Sequence, residues 1–554
     1  MGRGYELILC VCRNCIFCLI LHAAFMGNNC NSHISMLHSI KKTAAKFNRY
    51  YAFVLLVTLF YGLAFSLSGF ISTPFHSFKD FVVLTLQWGV IVFATYGLIT
   101  IISANRYIFL VLFPPLTMLC SVLAFFSYTA NVQLTPMLIE LTFINDMATW
   151  MSMVDAWLVI TVLLSLFVSI TIAIYRFKKI KLTPVSGIAN ALAGLLIIMT
   201  TNVWVTRFIN PVAERLPYNI FHSVKRYAQN KRASSEVRNT FTTLPQTTGT
   251  DSLTVVFVIG ESLRADHLQL NGYHRETTPL LMEEKCISLP NIYSEPCYTH
   301  LSVPHILTRA DSIHPERAFT EQSFVTIFKQ AGYKTTWIAN QDEIDTYSYF
   351  MHECDTLIYA NSSKSLYIID KWLDADILPI YDETLRSNNA KKLILIHSIG
   401  SHWYYTTHFD EQTSKFKPDI KSKIVQSNTH EELINSYDNT IVETDKFLHE
   451  LIQRLKHANA VLIYLSDHGE SLGEDGYYLH AGDRPELHYP ACFVWCSDTY
   501  KATYPEKINA LEANRLKRYR TDFLFHSILG AASIETVYKD KSLDIFEKNH
   551  ERAN

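Results

Sequence analysis

The sequence predicts a protein in two parts, a bundle of five transmembrane helices followed by an α/β domain built on a largely parallel sheet. Three observations carry that expectation. The long apolar runs are crowded into the first 206 of 554 residues. Basic residues favour alternate loops between those runs. Beyond residue 252, short β-rich runs alternate with stretches of helical periodicity. The 49% hydrophobic content is high for a wholly soluble chain, and its uneven spread is what divides the molecule. A formal net charge of −2 gives no electrostatic reason to expect nucleic acid as a partner.

A bilayer crossing needs about 20 apolar residues. Five stretches reach that length, at 51–72, 81–103, 107–128, 156–175 and 185–206. Lys41, Lys42, Lys46 and Arg49 precede the first, Arg106 separates the second from the third, and Arg176, Lys178, Lys179 and Lys181 lie between the fourth and fifth. The opposite loops hold only Lys79 in one case and no Lys or Arg from 129 to 155 in the other. Lysine and arginine are retained on the cytoplasmic side, so the expected N-terminus is cytoplasmic and the chain after 206 lies outside. Residues 1–35 hold five of the eleven cysteines and an apolar stretch broken by Arg13 and Asn14. They read as an extension to the fold, with Met36 as the expected start and 36–206 as the membrane domain.

Residues 207–252 read as a connection. In NPVAERLPYNIFHSVKRYAQNKR, apolar Ile220, Phe221 and Val224 stand beside Lys225 and Arg226, the composition of a helix lying on a membrane surface. TTLPQTTGTDS continues as polar linker. The outer domain is expected over 253–545, with strands at LTVVFVIG, YKTTWIAN, KLILIH and AVLIYLSDHG, and helices at TEQSFVTIFKQAG and NSYDNTIVETDKFLHELIQRLKH. Its five cysteines (286, 297, 354, 492 and 496) are an odd number, so at least one is unpaired and no pairing follows from their spacing.

Ligands of such sheets gather outside the carboxyl ends of the strands, which share one edge. Glu261 follows the first strand, His397 and His402 in IHSIGSHW follow another, and Asp467 and His468 in LSDHGESLGE follow a third. Carboxylates and histidines collected on one edge make a divalent-metal set. Thr299, in PCYTHLSVPHIL, reads by itself as a helix cap. Beside a metal held by Glu261, Asp467 and His468 it reads instead as a nucleophile, because a bound cation stabilises the alkoxide. Glu470 and Glu474 read as structural residues, and Tyr437 and Asn439 as supports of the site.

Taken in order, G-E-S, N-G-Y-x-R-x-T-T-P-L-L, T-x-x-S-V-P, H-S-I-G-S-H, N-S-Y-D-N-T, S-D-H-G-E-S-L-G-E and Y-L-H resemble the motifs of the phosphoethanolamine transferases of Gram-negative envelopes, over about residues 45 to 540. The resemblance implies a multi-pass inner-membrane protein whose periplasmic domain is an α/β/α sandwich of alkaline-phosphatase and sulfatase type. It implies Zn2+ held by Glu261, Thr299, Asp467 and His468, one ion bound tightly, with Thr299 the residue that becomes phosphoethanolaminated. His402 and His480 are implied to act as acid and base, or to bind the phosphoethanolamine or a second zinc. The implied donor is phosphatidylethanolamine and the implied acceptor a lipopolysaccharide, at a lipid A phosphate or a core sugar. There are departures from the lipid A branch. His305 follows S-V-P where that branch has a cysteine, and TTWIANQDE replaces a stretch carrying a phosphate-contacting lysine. Ala481 and Gly482 follow His480 where a glycine alone is usual. These leave the acceptor open. The nearest alternative is a glycerophosphotransferase resembling lipoteichoic acid synthases. A membrane-anchored hydrolase of phosphatase or sulfatase type is another, and the threonine at the nucleophile position argues against its sulfatase form. A catalytically inert sensor is expected to hold no zinc, whereas all four implied ligands are present.

Overall fold

The computed structural model describes residues 49–548 apart from 68–69, 71–72, 74–75, 131–133, 137, 140–155, 206–211, 214, 363–370, 413 and 481–482. The expected extension at 1–35, the start at Met36, the lysines at 41, 42 and 46, and the pair Ala481 and Gly482 lie outside the described residues.

Among the described residues, five helices are long and apolar enough to cross a membrane, with mean hydropathy from 1.4 to 2.6: α1 (Arg49–Ser66), α2 (Phe78–Ala104), α3 (Arg106–Ala130), α4 (Ala156–Lys179) and α5 (Pro184–Val205). Large apolar side chains such as Leu86, Leu164 and Phe167 are exposed on their outer surfaces, as a lipid solvent requires. The described part of the first expected span, α1, runs to Ser66 and closes in a widened turn over Gly62–Ser66, while residues 68–69 and 71–72 of that span lie outside the described residues. There the Trp88 indole donates to the Gly62 carbonyl at 3.1 Å. Helices α2 and α5 meet backbone to backbone. A Cβ on Gly97 would lie 2.9 Å from the Gly194 carbonyl oxygen, and one on Gly194 would lie 2.6 Å from that of Gly97. The buried Arg176 guanidinium donates to the carbonyls of Ser103 (2.9 Å) and Ile180 (2.6 Å), which satisfies it without a carboxylate.

The segment expected as an amphipathic helix forms α6 (Tyr218–Ser234), with Phe221 and Val224 exposed and Ile220 buried. Beyond it stands a seven-stranded sheet. Its strands are β1 (Leu253–Gly260), β2 (Ile287–Ser288), β3 (Lys334–Ala339), β4 (Thr356–Tyr359), β5 (Lys391–His397), β6 (Ala460–Ser466) and β7 (Cys492–Cys496). Their spatial order is β2-β7-β6-β1-β5-β3-β4. The five from β6 to β4 run parallel, and β7 pairs antiparallel with both β6 and β2. All eight residues of β1 are buried, which a strand covered on both faces requires and an unbroken apolar run supplies.

Alternate residues of β1 feed two cores. Val255, Phe257 and Ile259 pack with Phe324 and Phe328 of α8 (Phe324–Gln330) and with Phe525 and Leu529 of α10 (Phe523–Ala531). Val256 and Val258 pack on the other face with Tyr437, Leu448 and Leu451 of α9 (His430–Leu455). Helix α9 starts in a capping box, where the Thr429 hydroxyl accepts from the Glu432 amide and the Glu432 carboxylate accepts from that of Thr429. A further helix, α7 (Thr299–Leu307), precedes α8 in the chain.

Candidate active site

Because β1, β5 and β6 are adjacent and parallel, the residues that follow them emerge together at one edge. Glu261, directly after β1, is fully buried. The next residue, Ser262, takes φ 56°, a left-handed turn that is strained for a residue with a side chain. Three groups hold it there. Its amide donates to Asp467 Oδ1 at 3.1 Å, its hydroxyl donates to Glu261 Oε1 at 2.6 Å, and its carbonyl accepts from the Tyr437 hydroxyl at 2.7 Å. The same Tyr437 oxygen accepts from the Arg264 amide at 2.9 Å. Gly400, after β5, has φ +49°, and a Cβ there would stand 2.9 Å from the Glu261 carbonyl oxygen, so the loop that wraps Glu261 has room only for glycine.

Thr299 is the first residue of α7, and its hydroxyl does not cap that helix. It donates to Glu261 Oε2 at 3.1 Å and lies 3.3 Å from His468 Nε2. His468 uses Nδ1 to donate to the Gly469 carbonyl at 2.7 Å, which leaves the Nε2 lone pair facing the carboxylates, 3.6 Å from Glu261 Oε1 and 3.4 Å from Asp467 Oδ2. Asp467 Oδ2 is buried and makes no hydrogen bond among the described residues. No lysine or arginine among them hydrogen-bonds either carboxylate.

Two buried carboxylates side by side divide their protonation. Burial raises the Glu261 carboxyl, but the neighbouring imidazoles of His468 and His402 and hydrogen bonds from Ser262 and Gln341 outweigh it and hold the group below the usual carboxylate range. Burial, with the charge of Glu261 beside it, pushes Asp467 well above the usual carboxylate range. Burial also lowers the His468 imidazole. An unpartnered carboxylate oxygen, an imidazole nitrogen and a second carboxylate within 4.8 Å of one another could hold a divalent cation, and their chemistry fits zinc.

His402 and His480 flank this group. His402, in the loop after β5, gives its Nδ1 hydrogen to the Trp403 carbonyl and lies near enough to Glu261 to help hold that carboxyl down. The His480 ring is 5.2 Å from that of His468, with its side chain about a third exposed. Its Nδ1 stands 3.5 Å from Glu470 Oε2. Burial lowers the His480 pKa, and Glu470 overrides it, so the imidazolium persists to about 9. Glu470 therefore does more than the structural role its sequence suggests. It is buried after β6, accepts from the Tyr405 hydroxyl at 3.0 Å and faces His480. Glu474 instead binds the Arg264 guanidinium at 2.5 Å. His397, expected beside His402 at the strand end, is not in the ligand group. Its ring packs edge-on against Trp337 and Tyr347, and burial pushes it down to about 4.

Gln341, in the loop after β3, carries no signal of its own in the sequence. Its Nε2 donates to Glu261 Oε2 at 2.8 Å and to the Ser398 carbonyl at 2.7 Å. Its place just past a parallel strand was the available clue. The six cysteines among the described residues are all buried and in no disulfide.

Comparison with known proteins agrees with this architecture. The chain is 31% identical over 313 residues to the phosphoethanolamine transferase EptA of Escherichia coli K12, covering 53% of this chain and 55% of that one. The matched region thus spans about half the length of that curated relative. The C-terminal periplasmic domain of EptC from Escherichia coli, solved in complex with Zn, superposes with a TM-score of 0.51 at 26% identity, covering 56% of this chain and 90% of that one. The integral membrane protein lipooligosaccharide phosphoethanolamine transferase A of Neisseria meningitidis shares the fold across both parts. Its TM-score is 0.50 at 23% identity, covering 89% of this chain and 98% of that one. The Sulfatase family profile matches residues 253–534, more than half of the chain and nearly all of the sheet domain that carries Glu261, Thr299, Asp467 and His468, and the chain belongs to that family.

Proposed function

We propose that this protein transfers phosphoethanolamine from phosphatidylethanolamine to a lipopolysaccharide acceptor, a lipid A phosphate or a core sugar, through a covalent intermediate on Thr299. The observation that carries the reading is the placement of the Thr299 hydroxyl, 3.1 Å from Glu261 Oε2 and 3.3 Å from His468 Nε2. A hydroxyl in that position faces a cation site, where a serine or threonine becomes nucleophilic. In this reading Glu261, Thr299, Asp467 and His468 hold one Zn2+, which supplies a Lewis acid that lowers the pKa of the threonine hydroxyl.

The residues of the chain supply the rest. The Thr299 proton departs along its hydrogen bond to Glu261, the Thr299 Oγ1–phosphorus bond forms, and the bond from phosphorus to the diacylglycerol oxygen breaks. His480, kept protonated by Glu470, gives its proton to that leaving oxygen. The neutral imidazole then takes the proton of the acceptor hydroxyl or phosphate as the acceptor oxygen bonds to phosphorus and the Thr299 Oγ1–phosphorus bond breaks, and the proton held by Glu261 returns to the freed Thr299 oxygen. His402 binds the phosphoryl oxygens on the Glu261 side of the site. Donor and acceptor are both lipids, which accounts for a catalytic domain at 253–545 tethered to five apolar helices. The lysine and arginine distribution supports an inner-membrane protein with a cytoplasmic N-terminus and a periplasmic catalytic domain.

The test is the intact mass of the purified protein after incubation with phosphatidylethanolamine, beside Thr299→Ala. The expected result is a gain of roughly 123 Da, one phosphoethanolamine by formula, on the parent and none on the variant. An equal gain on Thr299→Ala would overturn the nucleophile. A glycerophosphate-sized gain from phosphatidylglycerol in its place would overturn the donor.

A further inference from the structure

We infer that Asp374 is a positioning residue for His402. Its carboxylate holds the turn that fixes His402 relative to Glu261, and so sets where a phosphoryl group meets the histidine. That assignment rests on the role proposed above for His402 as a ligand of phosphoryl oxygens. Asp374 follows β4 in the chain, at the start of a single 3-10 turn (Asp374–Ile377), and is buried.

Every backbone N–H from Ser398 to His402 has a partner. Ser398 donates to the Ile259 carbonyl at 3.0 Å, Ile399 to Asp374 Oδ1 at 2.8 Å and Gly400 to Asp374 Oδ2 at 3.0 Å. Ser401 donates to the Glu261 carbonyl at 3.0 Å, and His402 to the Ile399 carbonyl at 3.2 Å, which closes a four-residue turn. The first half of the turn thus hangs on Asp374 and the second half on the backbone of Glu261. The His402 ring travels with this backbone, because its hydrogen bond among the described residues goes to the adjacent Trp403 carbonyl.

The site asks for aspartate and no other residue. A buried charge is costly unless it is well supplied with donors. Asp374 takes its third bond from Asn340 Nδ2 at 2.8 Å, and no lysine, arginine or histidine among the described residues pairs with it. Its charge therefore serves the two amides of the turn. Two adjacent N–H groups point at two oxygens, whereas asparagine offers one oxygen and one amino group and would set donor against donor at Gly400. The Ser401 hydroxyl also meets the Thr440 hydroxyl of α9 at 2.7 Å, so loss of the Asp374 charge shifts the turn without releasing it.

The zinc-loaded full chain in detergent, titrated calorimetrically with O-phosphoethanolamine, tests this through a cycle of Asp374→Asn, His402→Ala and the double variant. Each single substitution is expected to weaken binding by about tenfold, the worth of one hydrogen bond to a charged group. The double variant is expected to bind no more weakly than His402→Ala, a coincidence that a scaffolding role elsewhere does not produce. Zinc content should be equal in parent and Asp374→Asn, and a lower content would move the effect to Glu261 and overturn the assignment. Additive losses, unchanged binding in either single variant, or a parent that binds no phosphoethanolamine would overturn it as well. A parent that binds the headgroup yet gains no mass on Thr299 overturns the proposed transfer, and the cycle still decides the role of Asp374. Should Asp374→Asn fail to fold, Asn340→Ala removes one donor from Asp374 Oδ1 and carries the test. A loss of about threefold that vanishes in the His402→Ala background is then expected, and an additive loss sinks the assignment.

Discussion

Replacing Tyr437 by phenylalanine removes one oxygen atom and isolates what that oxygen does. The ring is fully buried on α9, packed against His267 and Tyr405, and phenylalanine keeps that packing. The hydroxyl donates to Ser262 and accepts from Arg264, so its removal strands a buried carbonyl and a buried amide on either side of Leu263. An unsatisfied buried backbone group costs about 1–3 kcal/mol. With some relaxation, the pair amounts to about 2–4 kcal/mol. The turn it supports is the strained one at Ser262, directly after Glu261. For a domain of this size such a loss lowers Tm by roughly 5 °C. Displacement of Glu261 by even a fraction of an ångström disturbs the alignment of Thr299, so kcat/KM falls by about tenfold or more. Thermal unfolding and turnover of a fluorescent phosphatidylethanolamine, measured on parent and Tyr437→Phe, check both. A Tm within about 1 °C of the parent with unaltered turnover would show that the hydroxyl does not hold the turn.

Two further outcomes are expected. Gln341→Leu removes the amide that steadies Glu261 Oε2 and should weaken metal binding by about 10–100-fold, read as bound zinc after dialysis against a chelator series, with folding unchanged. Asp445 is buried and accepts the amides of Leu280 and Leu281, yet burial pushes its carboxyl up to about 6. The folded state then holds a proton that the unfolded state releases at lower pH. Its contribution is greatest below the unfolded pKa and is lost as pH rises through about 6, by at most about 3 kcal/mol. The stability difference between parent and Asp445→Asn, from thermal unfolding at pH 4.5 and 7.5, should therefore shift against the parent at the higher pH. A pH-independent difference contradicts the assignment.

The membrane helices were legible because lipid demands unbroken apolar length, which hydropathy reads directly, and because the basic loops mark them off. Strands β1, β3, β5 and β6 were legible as short apolar runs, and Glu261, Asp467 and His468 as the residues where those runs stop. Thr299 was less so, because a threonine at a helix start is usually a cap, and only the turn of Ser262 brings Glu261 onto it. His397 was misplaced by proximity. It ends β5, but side chains alternate along a strand, and its own points into the core with Trp337. Glu470 and Gln341 depend on how loops fold back across the sheet edge, and no local periodicity encodes that.

The edge where β1, β5 and β6 end has a consequence for how the protein is made. The hydroxyl of Thr299 and the two groups it meets are separated along the chain by 38 residues on one side and 169 on the other. No short segment contains the set. A nascent chain that has exposed Glu261 and Thr299 presents one carboxylate and one alcohol, a feeble trap for any cation. The affinity arrives only when Asp467 and His468 have been synthesised and β6 has seated beside β1. On the proposed reading, metal capture waits until β6 has seated beside β1, and a chain truncated before Asp467 lacks two of the four residues of the set.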